Sequence, residues 1–239
     1  MANQKAIRRN TNSMLCLIAD IKTKVPATGG MSSRCRAYEV EGNENEAEIV
    51  IDDSNYNYDY WKNEASAAYM SSGIQFYYKL LDFDGMMLHA SATVINGEAY
   101  LFAGQCCIGK STHANLLMKN YPGALLINDD KPAIRLVDGK WMAYGTPWSG
   151  KHGININAKY PLKAICLLTT NRERNEIRVA QRVKSVAGIL SCSLRRRSRE
   201  DLLKLTPLAD RLIRDIPIYE MDSLANDESA HMAYNTMKK

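Results

Sequence analysis

The sequence predicts a mixed α+β or α/β fold whose sheet is partly antiparallel. Two apolar stretches are each folded back on themselves by a dipeptide suited to a type I′ hairpin turn, Asn96-Gly97 and Asp138-Gly139. Around them lie segments whose apolar residues recur at three and four, the helical period. With 239 residues, 46% hydrophobic and 24% charged, the chain can bury a large core, and collagen-like, low-complexity and coiled-coil classes are excluded.

In chain order, the first ten residues are polar and basic. Met14 to Val25, Cys35 to Val40 and Glu46 to Asp52 alternate at roughly period two between Gly or Asn clusters, which reads as short strands. Residues 1–62 are thus expected to be a strand-rich region packed on a core of residues 63–239. Asn63 to Phe83 reads as a helix, with Ala67, Ile74, Tyr77, Tyr78, Leu80 and Leu81 on one face and Asp82 to Gly85 ending it. His89 to Ile95 and Glu98 to Ala103 form the first hairpin. His113 to Tyr121 suits a helix and Ala124 to Ile127 a buried strand. Pro132 to Val137 and Lys140 to Tyr144 form the second hairpin, and Ala164 to Thr170 is one more strand. Two helical patterns come next, Val179 to Ser193 and Ser198 to Asp215, then a strand at Ile218 to Met221 and an amphipathic segment, Asp227 to Met237.

The six cysteines (Cys16, Cys35, Cys106, Cys107, Cys166, Cys192) contain no CxxC pair, so neither a structural zinc site nor a disulfide scaffold is expected. Free thiols suit a reducing cytosol. No apolar run approaches the ~20 residues of a membrane span, and Met14 to Ala19 is too short for a signal-peptide core. The expectation is a soluble cytoplasmic protein. The net charge of +5 is uneven: nine Lys or Arg between Arg172 and Arg199 face only Glu173 and Glu176. Such a stretch is either a solvated face or a patch that attracts an acidic peptide, a phosphorylated ligand or nucleic acid.

The strand Glu98 to Ala103 runs into Gly104-Gln105-Cys106-Cys107-Ile108-Gly109-Lys110-Ser111, a match to GxxxxGK[ST] ahead of a helix-compatible run. Each residue type has a task. Gly104 and Gly109 let the backbone approach a phosphate closely, and successive N–H groups with the helix start present positive potential to it. Lys110 brings a flexible point charge to the β and γ phosphates, and the Ser111 hydroxyl is a hard oxygen ligand for Mg²⁺, with Thr112 following. The residue before Ile108 is usually Gly in such loops because φ there tends to be positive; here it is Cys107. Cys106 and Cys107 are either small fillers or thiols that make nucleotide binding redox-sensitive.

About twenty residues on, the buried strand ends in Asn128-Asp129-Asp130-Lys131. Of two adjacent carboxylates there, one can hold Mg²⁺ directly or through water, and the other can accept the proton of an attacking hydroxyl. The bland reading is a turn that uses Asp for local hydrogen bonds. His89, at the start of the hairpin strand, can reach the phosphates, orient a carboxylate, or serve only structure. His113 reads as a surface or packing residue. Gly145 to Lys151 leaves the second hairpin as a Gly, Pro and Trp loop. It is either a structural turn or a loop closing over a substrate, with Thr146, Ser149 and Lys151 as polar contacts and Trp148 as a wall or lid.

Taken together, LHASATVINGEAYLFAGQCCIGKST and ALLINDDKPAIRLVDGKWMAYGTPWSGK resemble the kinase domain of the HPr kinase/phosphorylase family. The likeness is nearer to its short relatives, which are often labelled phosphoenolpyruvate carboxykinase-related and include lasso-peptide tailoring kinases. It spans about residues 74–170, and the ending PIYEMDSLANDESAHMAYNTM is similar to the short relatives too. The resemblance implies a nucleotide-binding core with the phosphate loop between strands of a partly antiparallel sheet. It implies loop residues at Gly104, Gly109, Lys110, Ser111 and Thr112, an active-site histidine at His89, and paired aspartates at Asp129 and Asp130. Asp129 is then the base, and Asp130 the metal partner with Ser111. Cys106-Cys107 departs from the family's small residue and Gly. The HPr-docking part is not recognisable, which counts against HPr as substrate.

The expected function is an ATP- and Mg²⁺-dependent kinase acting on a serine-type hydroxyl of a peptide or protein, with no membrane or nucleic-acid partner and self-association left open. The competing reading is a nucleotide-binding regulatory module without transfer activity, whose basic segment engages a partner. A carboxykinase acting on a small acid fits worst, because no ligand cluster for its second metal is visible.

Overall fold

A computed structural model describes residues 13–18, 21–26, 73, 74, 76–150, 153–169, 171, 173–193 and 199–239. The chain divides into two compact units, Met1–Lys79 and Leu80–Lys239. In the first unit, β1 (Ser13–Ile18) and β2 (Ile21–Pro26) form an antiparallel hairpin with Ile18 opposite Ile21. The alternation from Met14 to Val25 therefore belongs to two short strands; the pattern runs on through the Ala19-Asp20 connection and hides it. The strands expected at Cys35 to Val40 and Glu46 to Asp52 lie outside the described residues, as does the start of the helix expected from Asn63. Residues 73, 74 and 76–79 are helical.

The second unit carries a nine-stranded mixed sheet. Helical residue 80 gives way to a 3-10 turn, Leu81–Phe83, closed by Asp84 at φ 54, and then to β3 (Gly85–Met87). Next come β4 (Ala90–Ile95), β5 (Glu98–Ala103), α1 (Lys110–Asn120) and β6 (Leu125–Asn128). They are followed by β7 (Ala133–Val137), β8 (Lys140–Tyr144) and β9 (Lys159–Leu168). The chain ends with β10 (Glu176–Val179), α2 (Arg182–Cys192), α3 (Arg199–Asp215), β11 (Ile218–Asp222) and α4 (Asp227–Met237). Both hairpin turns have two positive φ values, 52 and 79 at Asn96-Gly97, 49 and 75 at Asp138-Gly139, as a type I′ turn requires.

The strand order is β3-β7-β8-β9-β5-β4-β6, with β11 beside the second half of β9 and β10 beside β11. Strand β9 is the fork: its first residues pair with β8, and its later ones lie between β5 and β11. The sequence hid the first half of β9 because Pro161 reads as a strand breaker. Strands β5, β9 and β11 run parallel, and β4 is antiparallel to both β5 and β6, so β6 shares their direction. The carboxyl ends of β6, β5, β9 and β11 therefore meet along one edge of the sheet.

Both faces of this sheet are covered, which is why β4 and β5 read as almost uninterrupted apolar runs. Leu101, Ala103, Ile165 and Leu167 point to one face and pack with Ile189 of α2 and Leu205, Leu208 and Leu212 of α3. The alternating Tyr100, Phe102, Cys166 and Leu168 pack on the other with Leu117 of α1 and Ala233, Tyr234 and Met237 of α4. Asn226 caps α4 through a reciprocal pair with Ser229. No helix among the described residues is long and apolar enough to cross a membrane.

Candidate functional site

Register brings the expected site residues to that common edge. Ala103, the last residue of β5, is opposite Ala90, and Asn128, the last of β6, is opposite Ala92. The loop 104–109 and the Asp129-Asp130 turn therefore flank the start of β4, two inter-strand steps of roughly 4.8 Å apart. Backbone bonds lock the arrangement: Ala90 N–H donates to Asp130 O at 3.1 Å and His89 N–H to Cys192 O at 2.7 Å.

The loop departs from β5 with Gly104 at φ 153, turns at Cys107 with φ 61, and enters α1 through Gly109 at φ 112. The Cys107 value is the left-handed conformation that its place in the motif predicts, and in a non-glycine residue it costs on the order of 1 kcal/mol. A Cβ on Gly104 would stand 3.0 Å from Ile108 Cγ2 and 3.4 Å from Leu168 O, so this glycine fits where a side chain would crowd. Gln105, Cys106, Cys107 and Thr112 are exposed, and Ile108 and Ser111 are half-buried. The two thiols lie 3.6 Å apart.

Lys110 is buried, and its Nζ donates to Gln105 O at 2.8 Å and Gly104 O at 3.3 Å. Burial lowers its pKa, and the Asp130 charge pulls the other way without reversing the shift. The Lys110 ammonium also helps to lower the His89 pKa. Loop lysine, histidine and second aspartate thus share one electrostatic environment.

Asp130 is fully engaged: Oδ1 pairs with His89 Nε2 at 3.0 Å and Oδ2 with Lys131 Nζ at 2.6 Å. Burial pushes its pKa up, but the hydrogen bond from His89 and the Lys131 ammonium overcome this and hold it at about 2. For His89 the bond to Asp130 is the largest influence and upward; burial together with Lys131 and Lys110 outweighs it, so the net shift is downward. At neutral pH a neutral ring carrying its proton on Nε2 satisfies this geometry.

Asp129 is arranged differently. It is 3% exposed, and its Oδ1 accepts the Gly150 N–H at 2.6 Å. Its Oδ2 is buried with no hydrogen-bond partner among the described residues. A buried carboxylate oxygen without a partner is costly, and it marks a place suited to a proton donor or a cation. Among the described residues no group of three or more His, Cys, Asp and Glu could hold a metal. Mg²⁺ in phosphate chemistry needs only one or two carboxylates with phosphate oxygens and water, and the Ser111 hydroxyl with one carboxylate of the Asp129-Asp130 pair fits that donor set.

The organiser of this edge is a residue the sequence reading passed over. Asn128 is fully buried; its Oδ1 accepts the amides of Asp130 at 2.8 Å and Lys131 at 2.6 Å. Its Nδ2 donates to Thr146 O at 2.9 Å and Trp148 O at 3.3 Å. One side chain thus shapes the acidic turn and clasps the 145–150 loop onto it. An Asn ahead of two Asp was the available signal, the ordinary mark of an Asx-type turn.

In that loop Thr146 is buried and its hydroxyl donates to Lys131 O at 2.7 Å; Trp148 is buried, 2% exposed. Ser149 is half-buried and accepts from Asn155 Nδ2 at 3.0 Å, while Lys151 lies outside the described residues. His113 is a buried packing residue: its Nδ1 donates to Gly109 O at 2.9 Å, and its Nε2 accepts from Ser223 Oγ at 2.8 Å. In the basic stretch, Arg174, Arg178, Arg182 and Lys184 pair with Glu176, Glu220 and Asp210, and Arg195, Arg196 and Arg197 lie outside the described residues.

No family model and no curated protein matches this chain. Among solved structures, the chain is similar to the HPr(Ser) kinase/phosphatase from Coxiella burnetii, at 12% identity over 63% of this chain and 95% of that one, with a TM-score of 0.35. A likeness that distant assigns neither family nor activity, and the mixed α/β architecture stands on the strands and helices themselves.

Proposed function

We propose that the protein is a Mg²⁺-dependent phosphotransferase that moves the γ-phosphoryl group of ATP to a serine-type hydroxyl on a peptide or protein. The observation that carries this reading is the meeting, at one sheet edge, of a GxxxxGK[ST] loop and a buried carboxylate oxygen, Asp129 Oδ2, that has no partner among the described residues. The loop amides and the start of α1 would cradle the phosphates, and Lys110, released from Gly104 O and Gln105 O, would neutralise the moving group. Mg²⁺, when bound, supplies charge neutralisation between phosphate oxygens, and Ser111 with a carboxylate would hold it.

Asp129 suits the general base. Gly150 N–H fixes one of its oxygens, and the other is left to take the proton of the acceptor hydroxyl, a contribution typically worth about 10² to 10⁴ in rate. Asp130, held between His89 and Lys131, suits an electrostatic and metal-side role. Incubation with γ-labelled ATP, Mg²⁺ and peptides encoded beside the gene, read by mass spectrometry, tests the reading. Transfer is expected in the wild type and lost in Asp129→Asn and Lys110→Ala. Full transfer by both variants would refute the assignment.

A further inference from the structure

The acidic turn carries a cation of its own. Lys131 Nζ lies 2.6 Å from Asp130 Oδ2 and His89 Nε2 lies 3.0 Å from Oδ1, so both oxygens of the carboxylate suited to the metal side already have partners. The two contacts differ in kind. His89, its pKa lowered, is a neutral hydrogen-bond donor at neutral pH, whereas Lys131 is a full charge on a flexible stem. The main chain of Lys131 is pinned on both sides: its N–H donates to Asn128 Oδ1 at 2.6 Å, and its carbonyl accepts from the Thr146 hydroxyl at 2.7 Å. Its side chain is 34% exposed, so the ammonium can swing away from Asp130 without disturbing the turn that carries it.

Charge balance says when that swing is favourable. Lys110 stands within electrostatic reach of the same pair, since Asp130 raises its pKa and Lys131 lowers it. The edge thus sets two carboxylates, Asp129 and Asp130, against two ammoniums, Lys110 and Lys131. A divalent cation entering alone would meet the Lys131 ammonium on the carboxylate it needs and leave partly buried groups with surplus positive charge, which a site of low dielectric penalises. Entering with a triphosphate, it brings compensating negative charge, and the phosphate oxygens offer the displaced ammonium a new partner.

Resting on the phosphotransferase reading above, we propose that Lys131 is a displaceable counter-ion: it holds Asp130 while the site is empty and passes to the terminal phosphate when metal and nucleotide arrive together. Metal entry and recognition of the γ end are thereby coupled through one side chain. The empty site has little affinity for free divalent metal, because Lys131 competes for the same carboxylate oxygen. Once released, Lys131 joins Lys110 as a second ammonium at the terminal phosphate, a contact that a diphosphate cannot make. His89 keeps its bond to Asp130 Oδ1 throughout and so holds the carboxylate in place during the exchange.

Titration of the nucleotide-free protein with Mn²⁺, followed by electron paramagnetic resonance, tests the first half. Lys131→Met should bind Mn²⁺ roughly tenfold or more tighter than wild type. Lys131→Arg, which keeps the charge, should stay near wild type, and Asp130→Asn combined with Lys131→Met should lose the gain. Equilibrium binding of ATP and ADP at saturating Mn²⁺ tests the second half. Wild type should prefer ATP by roughly tenfold, Lys131→Met should lose most of that preference, and Lys131→Arg should retain it. Lys131→Gln should reproduce both changes, so that neither rests on the folding of one variant. Mn²⁺ binding unchanged in Lys131→Met and Lys131→Gln, a gain that survives the loss of Asp130, or a preference for ATP that is absent from wild type or outlasts both substitutions would overturn the inference and leave the phosphotransferase reading standing. If wild type binds neither nucleotide, that reading itself fails and takes the inference with it.

Discussion

Gly145 begins the loop that carries the Gly150 amide to Asp129, and Gly145→Ala tests how tightly that loop is built. A Cβ there would stand 1.8 Å from Ile156 O and 2.7 Å from Ile127 O, both backbone atoms. Reaching the 3.0 Å that real contacts respect requires about 1.2 Å of main-chain displacement. Two bonds sit on that line, Ile156 N–H to Ile127 O at 2.9 Å and Gly145 N–H to Ala158 O at 3.0 Å. A shift of that size stretches both beyond hydrogen-bonding range. At about 1–2 kcal/mol for each group left unpaired, the cost is about 2–4 kcal/mol, a fall in Tm of roughly 5–15 °C. Gly123→Ala is the control, because Gly123 has φ 84 but nothing within 4 Å of its Cβ, so that variant carries only the backbone penalty of about 1 kcal/mol. Thermal unfolding followed by circular dichroism compares the two. A Gly145→Ala shift no larger than that of Gly123→Ala would refute the packing argument.

Asn128→Asp keeps the acceptor for the Asp130 and Lys131 amides but removes the Nδ2 that donates to Thr146 O and Trp148 O. It should cost about 2 kcal/mol and abolish transfer, and amide hydrogen exchange at 146–150 should accelerate; unchanged exchange would count against the clasp. The Asp130 pKa of about 2 lies below its ordinary 3.8, so the pairing stabilises the fold above pH 4 and is lost as pH falls through 2. The stability advantage of wild type over Asp130→Asn should therefore be about 2 kcal/mol at pH 5 and shrink towards zero near pH 2 in urea unfolding; a gap independent of pH would contradict the pairing. Cys106 and Cys107 are exposed on the loop. N-ethylmaleimide should alkylate both, weaken ATP binding at least tenfold and be slowed by bound ATP, whereas Cys106→Ser with Cys107→Ser should bind ATP and ignore the reagent.

The hairpins were legible because Asn96-Gly97 and Asp138-Gly139 each demand two positive φ values that few other dipeptides tolerate. Helix α4 was legible as the amphipathic segment Asp227 to Met237, which neither Pro nor Gly interrupts. Strand β10 went unread: only its last residue, Val179, was placed, at the start of the helix expected over Val179 to Ser193, and pairing of Ile177 with Met221 and Val179 with Tyr219 is what makes Glu176–Val179 a strand. Within the site, residue types and spacing pointed to the loop and the acidic pair, but not to how the carboxylates divide their partners. That division depends on Gly150, twenty-one residues from Asp129, and on His89, forty-one from Asp130, contacts with no local periodicity. Asn128 carried a local turn signal, but its clasp on Thr146 and Trp148, eighteen and twenty residues on, left no trace in the local pattern.

Every role proposed at this edge requires that the 104–112 loop and the Asp129-Asp130 turn serve one triphosphate. A crystal structure with a non-hydrolysable ATP analogue and Mn²⁺ in place of Mg²⁺ is the sharpest test, because the metal's anomalous signal marks its position. The phosphates should lie on the loop amides with Lys110 turned towards them, and the manganese should lie within coordinating distance of Ser111 and an aspartate of the pair. Phosphates bound away from the loop, or a metal that neither aspartate reaches, would contradict it.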